Sequence, residues 1–109
     1  MPVFSSNVLI EFACDLLRAG GVGGDEARLV ARSLVEANLC GHDSHGLMRT
    51  PYYLDCVAKK EVVPGADLTV LNESASLVAT DGNWGFGQTQ ARRLMDRLTE
   101  KGRATGVGV

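Results

Sequence analysis

One short stretch of the chain gathers most of the side chains that could do acid–base chemistry. Residues 41–46 read Gly-His-Asp-Ser-His-Gly and contain both histidines of the chain, with Arg49 and Pro51 close behind. Histidine titrates near neutral pH, so it can give or take a proton during a reaction. Arginine is planar and permanently charged, so it can hold a carboxylate through two parallel hydrogen bonds. The stretch therefore suggests a site that binds a small carboxylate beside a proton donor or acceptor.

Each of these residues also has a purely structural interpretation. A loop histidine such as His45 is more often a residue with one ordinary hydrogen bond, and Ser44 is a common turn or capping residue. Arg49 would then be a solvated surface arginine, and Asp43 a turn aspartate. Tyr53, one helical turn beyond Arg49, would be a core residue with a polar tip.

The stretch resembles the signature of a known family. Gly-x-Asp-Ser-His-Gly at residues 41–46, followed by Arg49 and Pro51, is similar to the motif of the malate/L-lactate dehydrogenases, which are NAD(P)-dependent oxidoreductases without a Rossmann fold. The similarity continues through Pro64, the Asp81-Gly82 turn and Gly87-Gln88 to Gly108. It implies an enzyme that reduces 2-oxo acids (to malate or lactate) or related carboxylates such as sulfolactate, ureidoglycolate and cyclic imines.

The resemblance also implies roles for individual residues. His45 would be the catalytic acid/base with Ser44 as its relay partner, and Arg49 would bind the substrate carboxylate. Tyr53 is our candidate for closing the pocket, whereas His42 and Asp43 receive no catalytic role. The cofactor would be NAD or NADP, bound mostly by residues that follow this chain, and the enzyme would be a homodimer. The three cysteines, which are expected to be reduced, separately predict a cytoplasmic protein.

A glycine-rich turn at residues 82–87 is the place where a dinucleotide fingerprint would lie. The spacing G-x-G-x-x-G requires glycine at position 84, where this chain has Trp84. The middle glycine lets a pyrophosphate approach the backbone, and a tryptophan prevents that approach. We therefore predict a structural turn and no Rossmann site, although an anion at the start of the following helix stays open.

Two other classes of function compete with the oxidoreductase. Cys40, His42 and His45 are three zinc-competent ligands within six residues, so a zinc-binding module is the alternative. A helical interaction domain, in which residues 41–49 merely connect two helices, is the third.

The elements that must position the stretch are two amphipathic helices before it and one after it. Apolar residues at helical spacing predict a helix over 6–19, ended by Gly20-Gly21. They also predict a second helix with Asp25 as its N-cap, which runs to about Leu39 and is stopped by Gly41. The predicted buried faces are Leu9, Phe12, Ala13, Leu16 and Leu17 in the first helix, and Ala27, Val30, Ala31, Leu34 and Val35 in the second.

The third helix is expected to begin at Pro51, with Thr50 as its cap outside the helical dihedral region. Its predicted buried face is Tyr53, Leu54, Val57 and Ala58. Runs at 68–71 and 75–79 predict a hairpin with a turn at 72–74. A helix over 88–101, stopped by Gly102 and buried through Ala91, Leu94, Met95 and Leu98, should precede a strand that begins at Val107. The fold class is thus α/β.

Length and composition set the remaining bounds. The 109 residues carry a net charge of -2, so nothing favours nucleic acid or an anionic membrane as a partner. Cys14, Cys40 and Cys56 are an odd count without C-x-x-C spacing and are expected to be reduced thiols. The last four residues read as an opening strand, so we expect residues 1–109 to be the N-terminal part of a single catalytic unit, inactive by itself and with apolar surface exposed.

Overall fold

The structure is a computed structural model and describes residues 2–109. Three helices come first, and an antiparallel hairpin and a long helix follow, which confirms the predicted α/β class and element order. The elements are α1 (Ser6–Ala19), α2 (Gly24–Leu39), α3 (Thr50–Ala58), β1 (Thr69–Glu73), β2 (Val78–Asp81) and α4 (Gly87–Thr105). They form two compact units, one that runs to Gly65 and one that starts at Ala66.

Helix α1 occupies the predicted range, and local chemistry accounts for both of its ends. The Ser5 hydroxyl accepts a hydrogen bond from the backbone N–H of Val8, which caps the start. At the other end Gly21 has φ +100°, and the N–H of Val22 donates to the carbonyl of Leu17 over 3.0 Å. Val22 and Leu17 are both buried, so this glycine-based stop also adds an apolar contact.

The core of the first unit lies between α1 and α2. All five residues predicted for the buried face of α2 are less than 2% exposed. In α1 the prediction holds for Ala13 and Leu17 only, whereas Phe12 is 59% exposed and Leu16 36% exposed. The apolar stripe of α1 is wider than the surface that α2 covers, and periodicity does not say which edge of a wide stripe is buried. Phe12 and Leu16 thus form exposed apolar surface on α1.

Helix α3 begins one residue earlier than predicted. Thr50 has helical dihedrals (φ -55°, ψ -48°) and is buried, so its prediction as a non-helical cap is wrong. A 3-10 turn at Leu47–Arg49 leads directly into the helix, and this tertiary arrangement overrides the local preference of a residue before proline. Pro51 still lies in the first turn, where its missing N–H costs no hydrogen bond. Of the predicted buried face, Tyr53, Leu54 and Val57 are half-buried, and Ala58 is exposed.

The hairpin of the second unit is confirmed, with its turn two residues further along than predicted. Strands β1 and β2 pair antiparallel from Thr69 opposite Asp81 to Glu73 opposite Val78, with an irregularity between Val70 and Asn72. The turn closes through the N–H of Ser74, which donates to the carbonyl of Leu77 over 2.8 Å.

Helix α4 runs through Gly102 and ends at Gly106, so the predicted stop is wrong. Gly106 has φ +86°, and its N–H donates to the carbonyl of Gly102 over 2.8 Å. One glycine inside a helix costs only about 1 kcal/mol relative to alanine, and the neighbouring Lys101, Arg103 and Ala104 favour helix. Of the predicted face, Leu94 and Leu98 are half-buried, while Ala91 and Met95 are exposed.

The end of the chain extends the hairpin. The N–H of Val109 donates to the carbonyl of Ser76, and the N–H of Val78 donates to the carbonyl of Val109, both over 2.8 Å. This pattern is that of a parallel pair, so α4 serves as the crossover between β2 and the segment predicted to start a strand at Val107. The described residues show this one pairing, without a full strand.

The three cysteines are unpaired, as predicted: Cys14 and Cys56 are buried and Cys40 is exposed. Within residues 2–109, none of the helices has both the length and the apolar character of a membrane span.

The two glycines of α4 provide a matched test of where this helix ends. Gly102→Ala should raise the free energy of unfolding by roughly 0.5–1 kcal/mol, since alanine favours a helix interior and the added methyl makes only an ordinary van der Waals contact, 4.0 Å from the backbone N of Gly108. Gly106→Ala should lower it by about 1–2 kcal/mol, because a side chain is strained at positive φ. Urea unfolding of both variants measures the difference. Equal effects, or the opposite order, would contradict the helix end at Gly106.

Candidate active site

The candidate site starts at the C-terminal end of α2. Gly41 has φ +80°, and the N–H of His42 donates to the carbonyl of Ala37 over 2.8 Å. This arrangement satisfies the last carbonyls of α2 and turns the chain sharply away from the helix axis. Residues 42–49 then form what we call the site loop, and its starting direction is set by a helix whose other face is buried against α1.

The site loop consists of two consecutive 3-10 turns, Asp43–His45 and Leu47–Arg49. Three backbone hydrogen bonds of 2.9 Å close them, donated by the N–H groups of His45, Gly46 and Arg49 to the carbonyls of His42, Asp43 and Gly46 respectively. The backbone of the loop is therefore well defined, although most of its side chains are exposed.

The side chain of Asn38, in the last turn of α2, connects the helix to both turns of the loop. Its Nδ2 donates to Oδ1 of Asp43 over 2.6 Å, and its Oδ1 accepts from the backbone N–H of Leu47 over 2.8 Å. Gly46 is buried directly against this amide, and a Cβ on Gly46 would collide with it. Glycine is required at position 46 because of this close approach, since its φ of -88° is open to any residue.

Ser44, His45 and Arg49, the predicted catalytic and substrate-binding residues, are brought together. The Ser44 hydroxyl and Nδ1 of His45 are 3.1 Å apart, and which of them donates depends on the tautomer of the ring. Nε of Arg49 donates to the backbone carbonyl of Ser44 over 2.8 Å. One residue, Ser44, thus contacts the imidazole through its hydroxyl and the guanidinium through its carbonyl.

The aromatic residue beside Arg49 is Tyr52, which the sequence analysis did not single out. The guanidinium carbon of Arg49 lies 5.8 Å from the centre of the Tyr52 ring, within the range of a cation–π contact. A hydrogen bond with Cys56 raises the pKa of Tyr52 above its ordinary value. Tyr53 is half-buried, with its ring centre 6.2 Å from that of Tyr52. Its assignment to the pocket remains a prediction.

The zinc alternative finds no support in the geometry. Across residues 2–109, no three His, Cys, Asp or Glu side chains come together as a group that could hold a metal ion. Cys40, His42 and His45 are therefore close in sequence without converging. The left-handed turn at Gly41 separates Cys40, which caps α2, from the two histidines of the site loop.

The glycine-rich turn of the second unit is a structural turn. Asn83 has φ 49° and Trp84 has φ 59°, and the Asn83 side chain donates to the Asp67 carbonyl over 2.7 Å and to the Thr69 hydroxyl over 2.8 Å. The side chain of Gln90 occupies the space over Gly85, where a Cβ would collide with it. This turn therefore does not offer the open backbone that a dinucleotide pyrophosphate needs.

Sequence reasoning missed Asn38 because an asparagine near a helix end has many ordinary explanations. A usable signal was present: Asn38 lies three residues before Gly41, in the turn that faces the chain as it leaves the helix. An amide there can reach the first loop residues.

The chain belongs to the malate/L-lactate dehydrogenase family, whose sequence pattern matches residues 4–109. This match confirms the resemblance inferred from residues 41–51. It also extends the resemblance to α1 and α2, which the sequence motif did not cover.

Individual relatives agree with this assignment. The chain is 33% identical over 95 residues to L-sulfolactate dehydrogenase of Methanocaldococcus jannaschii, which covers 87% of this chain and 28% of that protein. It is 33% identical over 104 residues to hydroxycarboxylate dehydrogenase B of Escherichia coli, covering 95% and 29%. The structure of malate dehydrogenase from Pyrococcus horikoshii superposes with a TM-score of 0.90 at 33% identity, covering 94% and 30%. The chain spans less than a third of the length of each.

Gly46 offers a direct test of the packing in the loop. Gly46→Ala should lower the free energy of unfolding by about 1–3 kcal/mol, the usual cost of forcing extra atoms into a packed site, because the methyl displaces the Asn38 amide. Gly24→Ala is the matched control, since Gly24 is exposed in the first turn of α2 and a Cβ there meets nothing within 4 Å. Thermal or urea unfolding of both variants decides the matter, and two equal losses would argue against the contact.

Proposed function

We propose that the complete protein containing this chain is an NAD(P)-dependent 2-hydroxy acid dehydrogenase. Residues 1–109 would be the N-terminal part of one catalytic unit, in a cytoplasmic homodimer. The observation that carries the proposal is the contact of Ser44 with both His45 and Arg49. A proton-transfer group and a carboxylate-binding group are thereby held side by side, as reduction of a 2-oxo acid requires.

Arg49 is suited to the substrate carboxylate by the way in which it is anchored. Its Nε is engaged by the Ser44 carbonyl, which fixes the plane of the guanidinium. The two terminal nitrogens, Nη1 and Nη2, have no hydrogen-bond partner among residues 2–109. They form the end of the guanidinium that can grip both oxygens of a carboxylate. The Tyr52 ring limits how far this group can swing.

His45 is suited to proton transfer at the neighbouring carbonyl. In the imidazolium form, Nδ1–H donates to the Ser44 hydroxyl and Nε2–H is available to the substrate oxygen. When Nε2 gives up its proton to the oxygen, Nδ1 keeps its hydrogen and the ring becomes the neutral tautomer already bonded to Ser44. Ser44 therefore selects the tautomer, and the ring does not have to rotate between the two states. Oxidation of the hydroxy acid uses the same groups in reverse.

The nicotinamide cofactor would supply or accept the hydride when it is bound. Residues 2–109 supply groups for the substrate, namely His45 and Arg49. The glycine-rich turn does not fit the pyrophosphate of the cofactor, because Gln90 fills the space over Gly85. No cofactor contact is therefore assigned to this chain. The choice between NAD and NADP is left open.

The proposed substrates share a carboxylate next to a carbonyl. Relatives named for malate, sulfolactate, lactate and general hydroxycarboxylates support this class and do not single out one member. An assay of the complete protein against a panel of 2-oxo acids, with NADH and with NADPH, tests the proposal. Absence of turnover on every acid in the panel would count against it.

Arg49→Lys tests the carboxylate grip. Lysine keeps the charge but offers no planar pair of donors, so KM for the 2-oxo acid should rise by about one to two orders of magnitude, the loss expected for a charge-assisted hydrogen bond worth roughly 1.5–3 kcal/mol. Arg32→Lys, on the exposed face of α2, is the control. Steady-state kinetics with the acid varied at saturating cofactor gives KM. An unchanged KM would remove Arg49 from the substrate site.

His45→Ala tests the proton donor. Its loss should lower kcat by about 10²–10⁴-fold, the usual contribution of general acid catalysis, with little change in KM for the cofactor. His42→Ala, three residues away in the same loop, is the matched control and should be nearly silent. Equal, severe losses in both variants, accompanied by loss of bound metal, would support zinc instead. A silent His45→Ala would withdraw the assignment of this histidine.

A further inference from the structure

We propose that Asn38 is a positioning residue for the active site: its amide sets the site loop in the register that brings His45 and Arg49 together. The inference rests on the proposed function for its consequences in catalysis, and on the geometry of the loop for everything else. Asn38 itself touches neither of the two reacting groups. It acts through Asp43 and Leu47.

Both the NH2 group and the oxygen of the Asn38 amide have a suitable hydrogen-bond partner in the loop. Nδ2 can only donate, and it meets a carboxylate oxygen of Asp43 at 2.6 Å. Oδ1 can only accept, and it meets the N–H of Leu47 at 2.8 Å. A 180° rotation of the amide would set two acceptors against each other at Asp43 and two donors at Leu47. The two bonds therefore define one orientation of the side chain and one position of the loop.

The two contacts bracket Ser44 and His45 in sequence and lie shortly before Arg49. Asp43 immediately precedes Ser44, and Leu47 lies two residues after His45 and two before Arg49. Each of the two 3-10 turns is thus held by Asn38 at its first residue, Asp43 in one and Leu47 in the other. Gly46, between them, packs on the amide itself. A displacement of Asn38 would therefore move the imidazole and the guanidinium relative to each other.

The anchor is attached to a helix whose neighbouring turn is part of the buried core. Leu34 and Val35, one turn before Asn38 in α2, are each 1% exposed. The loop that Asn38 holds is largely exposed. Its other supports are three short turn hydrogen bonds, the bond from the His42 N–H to the Ala37 carbonyl, and the bond from Arg49 to the Ser44 carbonyl. Because proton transfer depends steeply on distance, a loop of this kind needs a tie to the core. The assignment also gives Asp43 a role, which is to accept from Asn38.

An exchange of the two side chains tests the proposal in the complete protein. Asn38→Asp places two carboxylates against each other, so kcat/KM for the 2-oxo acid should fall by about 10²-fold, as expected for a displacement of roughly 1 Å. In the double variant Asn38→Asp/Asp43→Asn, the new amide at position 43 donates to the new carboxylate at 38, whose second oxygen accepts from Leu47. Activity should return to within a few-fold of the wild type. Asn7→Asp, at an exposed site on α1, controls for the substitution itself.

Two further measurements separate positioning from simple stability. In Asn38→Asp, KM for the acid should rise and kcat should fall together, with cofactor KM unchanged, and the double variant should reverse both. A lower melting temperature or active fraction, with unaltered kcat and KM per active site, would overturn the proposal. So would the failure of the double variant to restore activity.

A readout independent of activity distinguishes this inference from the proposed function. The Leu47 amide proton should exchange with solvent faster in Asn38→Asp and return to slow exchange in the double variant, and the His45 ring resonances should follow the same order. If the wild type reduces no 2-oxo acid while this pattern holds, the proposed function fails and the positioning role stands. If exchange at Leu47 is the same in all variants, the positioning role fails.

Discussion

Burial of one face of α2 is the constraint on which the first unit depends. Ala27, Val30, Ala31, Leu34 and Val35 are removed from water against α1, and this apolar contact fixes the axis of α2. The C-terminal end of the helix is thereby fixed in space as well. Gly41, in its left-handed conformation, then sets the direction in which the chain leaves the helix. The polar site loop, residues 42–49, is thus positioned by an apolar core to which the loop itself contributes no side chain.

Only a few hydrogen bonds connect the apolar core to the side chains of the site loop. The Asn38 amide makes two hydrogen bonds to the loop, and the carbonyl and hydroxyl of Ser44 contact Arg49 and His45. Hydrogen bonds between neutral groups are individually worth only about 1 kcal/mol net, and those to a charged group roughly 1.5–3 kcal/mol. Their importance here is geometric, because each one removes a direction in which the loop could move.

Local rules predicted element type well and element ends less well. Gly102 was a reasonable stop for α4, and Thr50 a reasonable cap for α3, yet the helices continue through both. In each case a small local preference of about 1 kcal/mol is set against the continuing hydrogen bonds of a helix that is supported elsewhere. The hairpin shows the same pattern: both strands exist, and the turn lies at 74–77, where Ser74 can close it.

The sequence by itself determined the periodic helices, the glycine stops at 21 and 41, the α/β class and the family, because spacing and residue type are properties of the local chain. It also identified Ser44, His45 and Arg49 as a group, through a motif confined to nine residues. Only the tertiary structure decided that Phe12 is exposed, that Tyr52 lies beside Arg49, and that Asn38 holds the loop. The physical reason is that these facts depend on which surfaces meet in three dimensions. A stripe, a ring or an amide has the same sequence pattern whether or not a partner covers it.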